Sequence, residues 1–393
     1  MLEARLARFQ TTHVSLSSQE ISREPAADTP TSAPKDETVI VFPAYDDQLV
    51  QQLADEFPFA PGLPPDMVRR VRATLERYAP FLLEAHLKIR LPDGGIDHDA
   101  LRRMSEWFKP ELSRASILFL VEAVAAAERG ETEYAFESIA LGLASFWDIR
   151  NSFGALQALM LRGLFTDSQL GELGEMVAGK RVDESRYTRY GRMEGLEVLG
   201  APDKYIKLHG RLILDDYVPG TTKFLLNAGE LVGYSAQQKV RFLDGLEKIE
   251  ACREMPRSEG VAEMRSIADS VLGAIVPRTS DALLRSALYG FSNQLIQEAR
   301  INAMTGCVAI ERFRRTEGRF PAQWSELSPG YLAQSPEDPC TGAPLQYRLS
   351  SEGYVIYTVG LDQDDDHGTP RPHVSLWHDG DYVLIEYPGT YGP

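Results

Sequence analysis

Four carboxylates fall within five positions near the C-terminal end of the chain: Asp362, Asp364, Asp365 and Asp366. Like charges this close repel one another, and a hard cation relieves that repulsion. Ca²⁺ suits such a loop because it accepts six to eight oxygen ligands in adaptable geometry. The order Asp362-x-Asp364-x-Asp366 imitates the opening of an EF-hand loop, but the glycine comes one position late, at Gly368. His373 stands where the bidentate glutamate would be. An EF-hand is therefore excluded. Spacing alone leaves a solvated acidic loop and a cation site of another design both open.

His367, His373 and His378 lie close by in sequence. Their spacing matches no zinc pattern, so solvated loop histidines are expected. Gly174 to Arg181 nearly spells a phosphate-binding loop, but Arg181 stands where a hydroxyl must reach Mg²⁺, and the stretch ends a helix. No His-Glu-x-x-His pair or Gly-x-Ser-x-Gly elbow occurs. The three cysteines, Cys252, Cys307 and Cys340, form no disulfide framework or metal spacing. Cys307 falls on an apolar helical stripe and is expected in the core.

Net charge is −16, which argues against a nucleic-acid partner, since phosphate binding needs a basic surface. No stretch approaches ~18 consecutive apolar residues, so no membrane span is expected. The most apolar run, Ser116 to Ala127, is interrupted by Glu122. No secretory signal is recognisable at the N-terminus.

The acidic loop must be positioned by what precedes it. Thr11 to Thr38 is rich in Ser, Thr, Pro and Glu, cannot bury enough apolar surface to order itself, and is expected to be a disordered arm. From Leu63 to Glu317 the period is helical. Val68, Val71, Leu75, Tyr78 and Leu82 form one stripe, which Pro80 should kink or split. Gly130 separates two apolar runs, Leu112–Glu128 and Glu133–Trp147. Thr166-Asp167-Ser168-Gln169 is a capping box, with Gly179 at the far end of that helix. A last long helix, Leu283 to Glu317, buries Ile296, Ala299, Ala303, Cys307, Ile310 and Phe313 and stops at Gly318. The period then falls to two. Leu345–Leu349 and Tyr354–Val359 form one hairpin; Val374–Trp377 and Tyr382–Tyr387 form a second across Asp379-Gly380.

Gly318-Arg319-Phe320-Pro321 after a long helix, then Asp338-Pro339, then Tyr357-Thr358-Val359-Gly360 before the acidic loop, resembles the C-terminal globular part of the major pseudopilin of type II secretion systems. That resemblance implies a long helix packed on a small antiparallel sheet and a Ca²⁺ site at Asp362 and Asp364 to Asp366, completed by backbone carbonyls such as those of Val359 or Leu361. There are departures. Leu361 replaces the family's Pro, Cys340 replaces a Trp, and the loop is shorter between its acidic groups. Met1-Leu2-Glu3-Ala4-Arg5-Leu6 and Leu161-Arg162-Gly163-Leu164 before Thr166-Asp167-Ser168-Gln169-Leu170, together with this end, also resemble a broad group of bacterial proteins that join a helical region to a pseudopilin-like domain.

The expectation is an α+β protein with a disordered arm over 1–40, a helical domain over 41–290 and a pseudopilin-like domain over 291–393. The implied role is a non-enzymatic, envelope-associated scaffold with a protein partner and a Ca²⁺-stabilised loop. If the chain is complete, the absent anchor implies a cytoplasmic protein instead. A metal-assisted hydrolase using the acidic loop with His367, or a helical partner-binding module, are the alternatives. The sequence leaves the oligomeric state open.

Overall fold

The structure, a computed structural model, describes residues 64–91, 96–97, 100, 116–144, 149–161, 163–179, 234–272, 279–350, 353–369 and 380–387. The expected arm over 1–40, the Val374–Trp377 strand and His373 and His378 lie outside these. Among the described residues the protein is α+β and mostly helical, with eight α-helices and one three-stranded antiparallel sheet. The chain divides into two units. The first comprises 1–39, 189–249 and 271–287; the second comprises 40–188, 250–270 and 288–393.

In the larger unit, α1 (Pro65–Ile89) starts on a proline pair, where a missing N–H costs nothing. It buries Met67, Val71, Thr74, Tyr78, Phe81, Leu82, Ala85, His86 and Ile89. Val68, expected on that face, is 37% exposed, because Met67 takes its place in the core. Pro80 does not split the helix. Its ring removes one ladder hydrogen bond, but Tyr78 before it and Phe81 and Leu82 after it are anchored in the same core.

α2 (Ser116–Glu128) and α3 (Thr132–Ala144) pack as a hairpin. The turn is a Schellman motif: Glu131 N–H donates to Ala126 O, Gly130 N–H donates to Ala127 O, and Gly130 sits at φ +76°. α2 is buried all round from Ser116 to Ala127, as expected of a helix with no polar face. α4 (Ile149–Leu161) and α5 (Asp167–Ala178) follow. The capping box of α5 forms in full: Thr166 Oγ1 accepts from Gln169 N–H, and Gln169 Oε1 accepts from Thr166 N–H. Thr166→Ala should cost about 1 kcal/mol. A urea midpoint unchanged from the parent would show that the cap contributes nothing.

α6 (Tyr234–Ala251), α7 (Arg257–Leu272) and α8 (Thr279–Glu317) supply residues to both units. In the smaller unit, Leu246 and Leu284 are buried, and a Cβ at Gly245 would lie 2.5 Å from Leu284. α8 starts four residues before the expected Leu283, yet its predicted stripe from Ile296 to Phe313 is wholly buried. It ends as expected, with Gly318 at φ +70° donating to Arg314 O.

Trp324 packs on α8 where Gly306 leaves room; a Cβ there would meet the indole at 2.7 Å. Its Nε1 donates to Leu345 O at 2.7 Å, tying the helix's exit to the first strand. The sheet runs β1 (Gln346–Leu349), β2 (Tyr354–Thr358), β3 (Tyr382–Tyr387) in spatial order. Tyr354 pairs with Leu349 on one side and Tyr387 on the other. Its ring stacks on Tyr387, and its hydroxyl lies 3.1 Å from Cys307 Sγ on α8. All three cysteines are buried thiols. One buried apolar cluster runs from α1 through α5 and α8 to the sheet.

Candidate functional site

The acidic loop leaves β2 at a fixed point because Asp338 holds it. Asp338 is 1% exposed. Its Oδ1 accepts from Thr358 Oγ1 at 2.8 Å and Cys340 N–H at 2.9 Å, and its Oδ2 accepts from Val359 N–H at 3.2 Å. Burial pushes its carboxyl above the ordinary aspartate range, and those hydrogen bonds offset only part of the shift. The Asp-Pro turn seen in the sequence thus supplies a buried anchor.

Beyond it, four residues take left-handed backbone: Gly360, Gln363, His367 and Gly368. Two lack the glycine freedom and are held by contacts instead. Gln363 Nε2 donates to Ser258 O and Cys340 O. His367 N–H donates to Asp365 Oδ1, and His367 O accepts from Arg348. Arg265 donates to Asp362 O.

The four predicted carboxylates do different things in this frame. Asp362 Oδ2 accepts from Gly380 N–H at 3.0 Å, bridging the loop to the start of β3. Asp364 is exposed. Asp365 Oδ1 accepts from Tyr357 Oη at 3.0 Å. Asp366 Oδ2 is buried with no hydrogen-bond partner among the protein groups. His367 is exposed, with Nδ1 3.7 Å from Asp365 Oδ1.

Sequence reading missed Asp381. It is 1% exposed, Gly368 N–H donates to its Oδ2 at 2.6 Å, and its Oδ1 is buried without a partner. Burial pushes its carboxyl up to about 6, and the nearby charges of Asp365 and Asp366 add to the rise. In the sequence it follows a turn dipeptide, a position where an aspartate is ordinarily solvated.

These residues partly fit a cation. Two buried oxygens lack donors, and one carboxyl is pushed up by burial and, to a lesser degree, by its acidic neighbours, which are the costs a cation removes. Asp366 and Asp381 are the residues that would hold it. Among the described residues, however, no three His, Cys, Asp or Glu side chains are grouped to hold a metal. Backbone carbonyls and water would have to supply the rest of the shell, as Ca²⁺ allows.

A second polar cluster lies inside the helices. His86 of α1, 1% exposed, has Nε2 3.0 Å from Glu122 Oε2 of α2 and Nδ1 3.0 Å from Glu137 Oε2 of α3. Carboxylates only accept, so both ring nitrogens must carry protons. Burial pulls the imidazole pKa down, but the hydrogen bonds to Glu122 and Glu137 outweigh it and raise it above 6.5. Arg90 donates to Glu137 from Nε, shared between both carboxylate oxygens, and from Nη2, and Tyr134 Oη donates to Glu122 Oε1 at 2.8 Å while its ring stacks on His86. The cluster is internally satisfied and neutral, with two cations and two carboxylates. The sequence signal was Glu122 and Glu137 within otherwise apolar helices.

Comparison with protein-family models, with curated proteins and with solved structures finds no match to this chain. Among the described residues no helix is long and apolar enough to cross a membrane.

Proposed function

We propose that this chain is a non-enzymatic, envelope-associated assembly or scaffold protein whose pseudopilin-like C-terminal region is stabilised by Ca²⁺. The pair Asp366 and Asp381, each with a buried oxygen lacking a donor, carries the calcium reading. A long helix ending at Gly318, the Asp338 anchor and the antiparallel sheet around the loop support the pseudopilin-like description. The loop's backbone is pinned from α7, β1 and the segment around Cys340, so a cation there would brace the sheet. Asp362 and Asp364 remain in the proposed ligand set beside Asp365 and Asp366, reached through water or a small loop shift.

At free Ca²⁺ about 100 times the Kd, linkage predicts about 2.7 kcal/mol of stabilisation. A Kd of about 10⁻⁴–10⁻³ M is expected for a site of this kind. Asp381 keeps its proton below about pH 6, so the calcium-induced rise in Tm should shrink between about pH 7.5 and pH 5. Asp381→Asn mimics the protonated group. In EDTA at neutral pH it should melt no lower than the parent, and it should lose the calcium response; Asp366→Asn should lose the response too. A parental calcium response in both variants would show that the site is elsewhere. Cell fractionation tests the envelope placement, which fails if the protein stays wholly in the cytosolic fraction.

A further inference from the structure

The larger unit carries a groove of about 1240 Å³, which is larger than ordinary small-molecule pockets of roughly 300–1,000 Å³. Its walls are α5, the middle of α8 and the extended segment from Tyr331 to Pro339. The floor is apolar: Leu170, Ile301, Val308 and Ala309 are all buried. Among the described lining residues, carboxylates dominate the rim: Asp167, Glu172 and Glu175 from α5, Glu298 from α8, and Glu337 from the loop. Among the described lining residues only two guanidiniums face them, and both are engaged. Arg312 pairs with Asp167 at 2.8 Å, and Arg257 pairs with Glu298 at 3.2 Å. On the third wall Pro336 and Pro339 have no N–H to give, and the carbonyls of Pro336 and Glu337 already accept from Leu345 N–H and Asn302. An apolar floor under a net-negative rim complements a chain with aliphatic stems and cationic tips.

We propose that this groove docks a lysine- or arginine-bearing segment of a partner protein. The proposal deepens the scaffold reading by naming the kind of partner. It uses none of the calcium-loop carboxylates. It is tested in EDTA, so failure of the groove and failure of the calcium site are separate outcomes.

The probe is a fluorescein-labelled octapeptide alternating lysine and leucine, with its glutamate–leucine counterpart and free spermine as comparisons. The lysine peptide should raise fluorescence anisotropy saturably below about 1 mM and bind more weakly as salt rises. The acidic peptide should not bind. Glu175→Lys with Glu337→Lys reverses two exposed rim charges outside both ion pairs. That double variant should keep the parental Tm and bind the lysine peptide at least about tenfold more weakly. The proposal is overturned if the lysine peptide does not bind, if the acidic peptide binds equally, or if the double variant binds like the parent. Spermine binding without peptide binding also overturns it, because the groove would then take a small polycation.

Discussion

Replacing Glu137 by alanine should destabilise the protein by about 3–5 kcal/mol, because it strands a buried charge. Glu137 is 7% exposed and holds His86 and Arg90 at once. Arg90 is partly exposed and can turn to water, but His86 cannot. The imidazolium would be left with Glu122 alone. The same cluster sets a pH window. His86 is raised above 6.5 in the folded state, so its contribution is complete below pH 6.5 and is lost as pH climbs through the folded value. For Glu137, burial pushes up but the hydrogen bonds from His86 and Arg90 prevail, holding it below 4.5. Its contribution is present above pH 4.5 and is lost as acid titrates it. Between those limits the cluster contributes most. A pH series of urea midpoints should show this, and His86→Gln should remove the alkaline decline that belongs to His86. An NMR titration in which His86 deprotonates near or below its ordinary value would contradict the assignment.

Much of the frame around the loop was legible because it obeys local rules. The stripe from Ile296 to Phe313, the Thr166 capping box and Gly318 each follow from spacing within a few residues. The first hairpin pairs as its alternation predicts. The exceptions are non-local. Pro80 was expected to disrupt α1, yet core contacts on both sides keep the helix continuous. Glu122 was visible as an interruption, but its partner His86 lies 36 residues away. Asp381 is 15 positions past Asp366 in sequence, and only the return of β3 beside β2 brings it to the loop. Local pattern gave the acidic loop; tertiary packing decided which of its oxygens lack donors.

The second large effect is expected at Asp338, a positioning residue that is not in the proposed ligand set. Asp338→Ala leaves Thr358 Oγ1 and the N–H groups of Cys340 and Val359 without an acceptor in a buried site. Each orphaned group costs about 1–3 kcal/mol, so a loss of about 3–5 kcal/mol is expected after relaxation. Asp338→Asn keeps the Oδ1 acceptor and places an amide against Val359 N–H, orphaning one group, so it should cost about 1–3 kcal/mol. The order parent, asparagine, alanine is thus fixed by counting donors. A passive core residue and an anchor differ in what happens to the loop. Val359 opens the path to Asp362, and an unheld Val359 lets the carboxylates move apart. The Asp338→Ala variant, measured at a temperature where it is folded, should therefore show a weaker calcium-induced rise in Tm although Asp366 and Asp381 are intact. Amide exchange at Val359 should speed up in the same variant. A full calcium response with unchanged exchange at Val359 would show that the loop is held by Gln363 and Arg348 without Asp338.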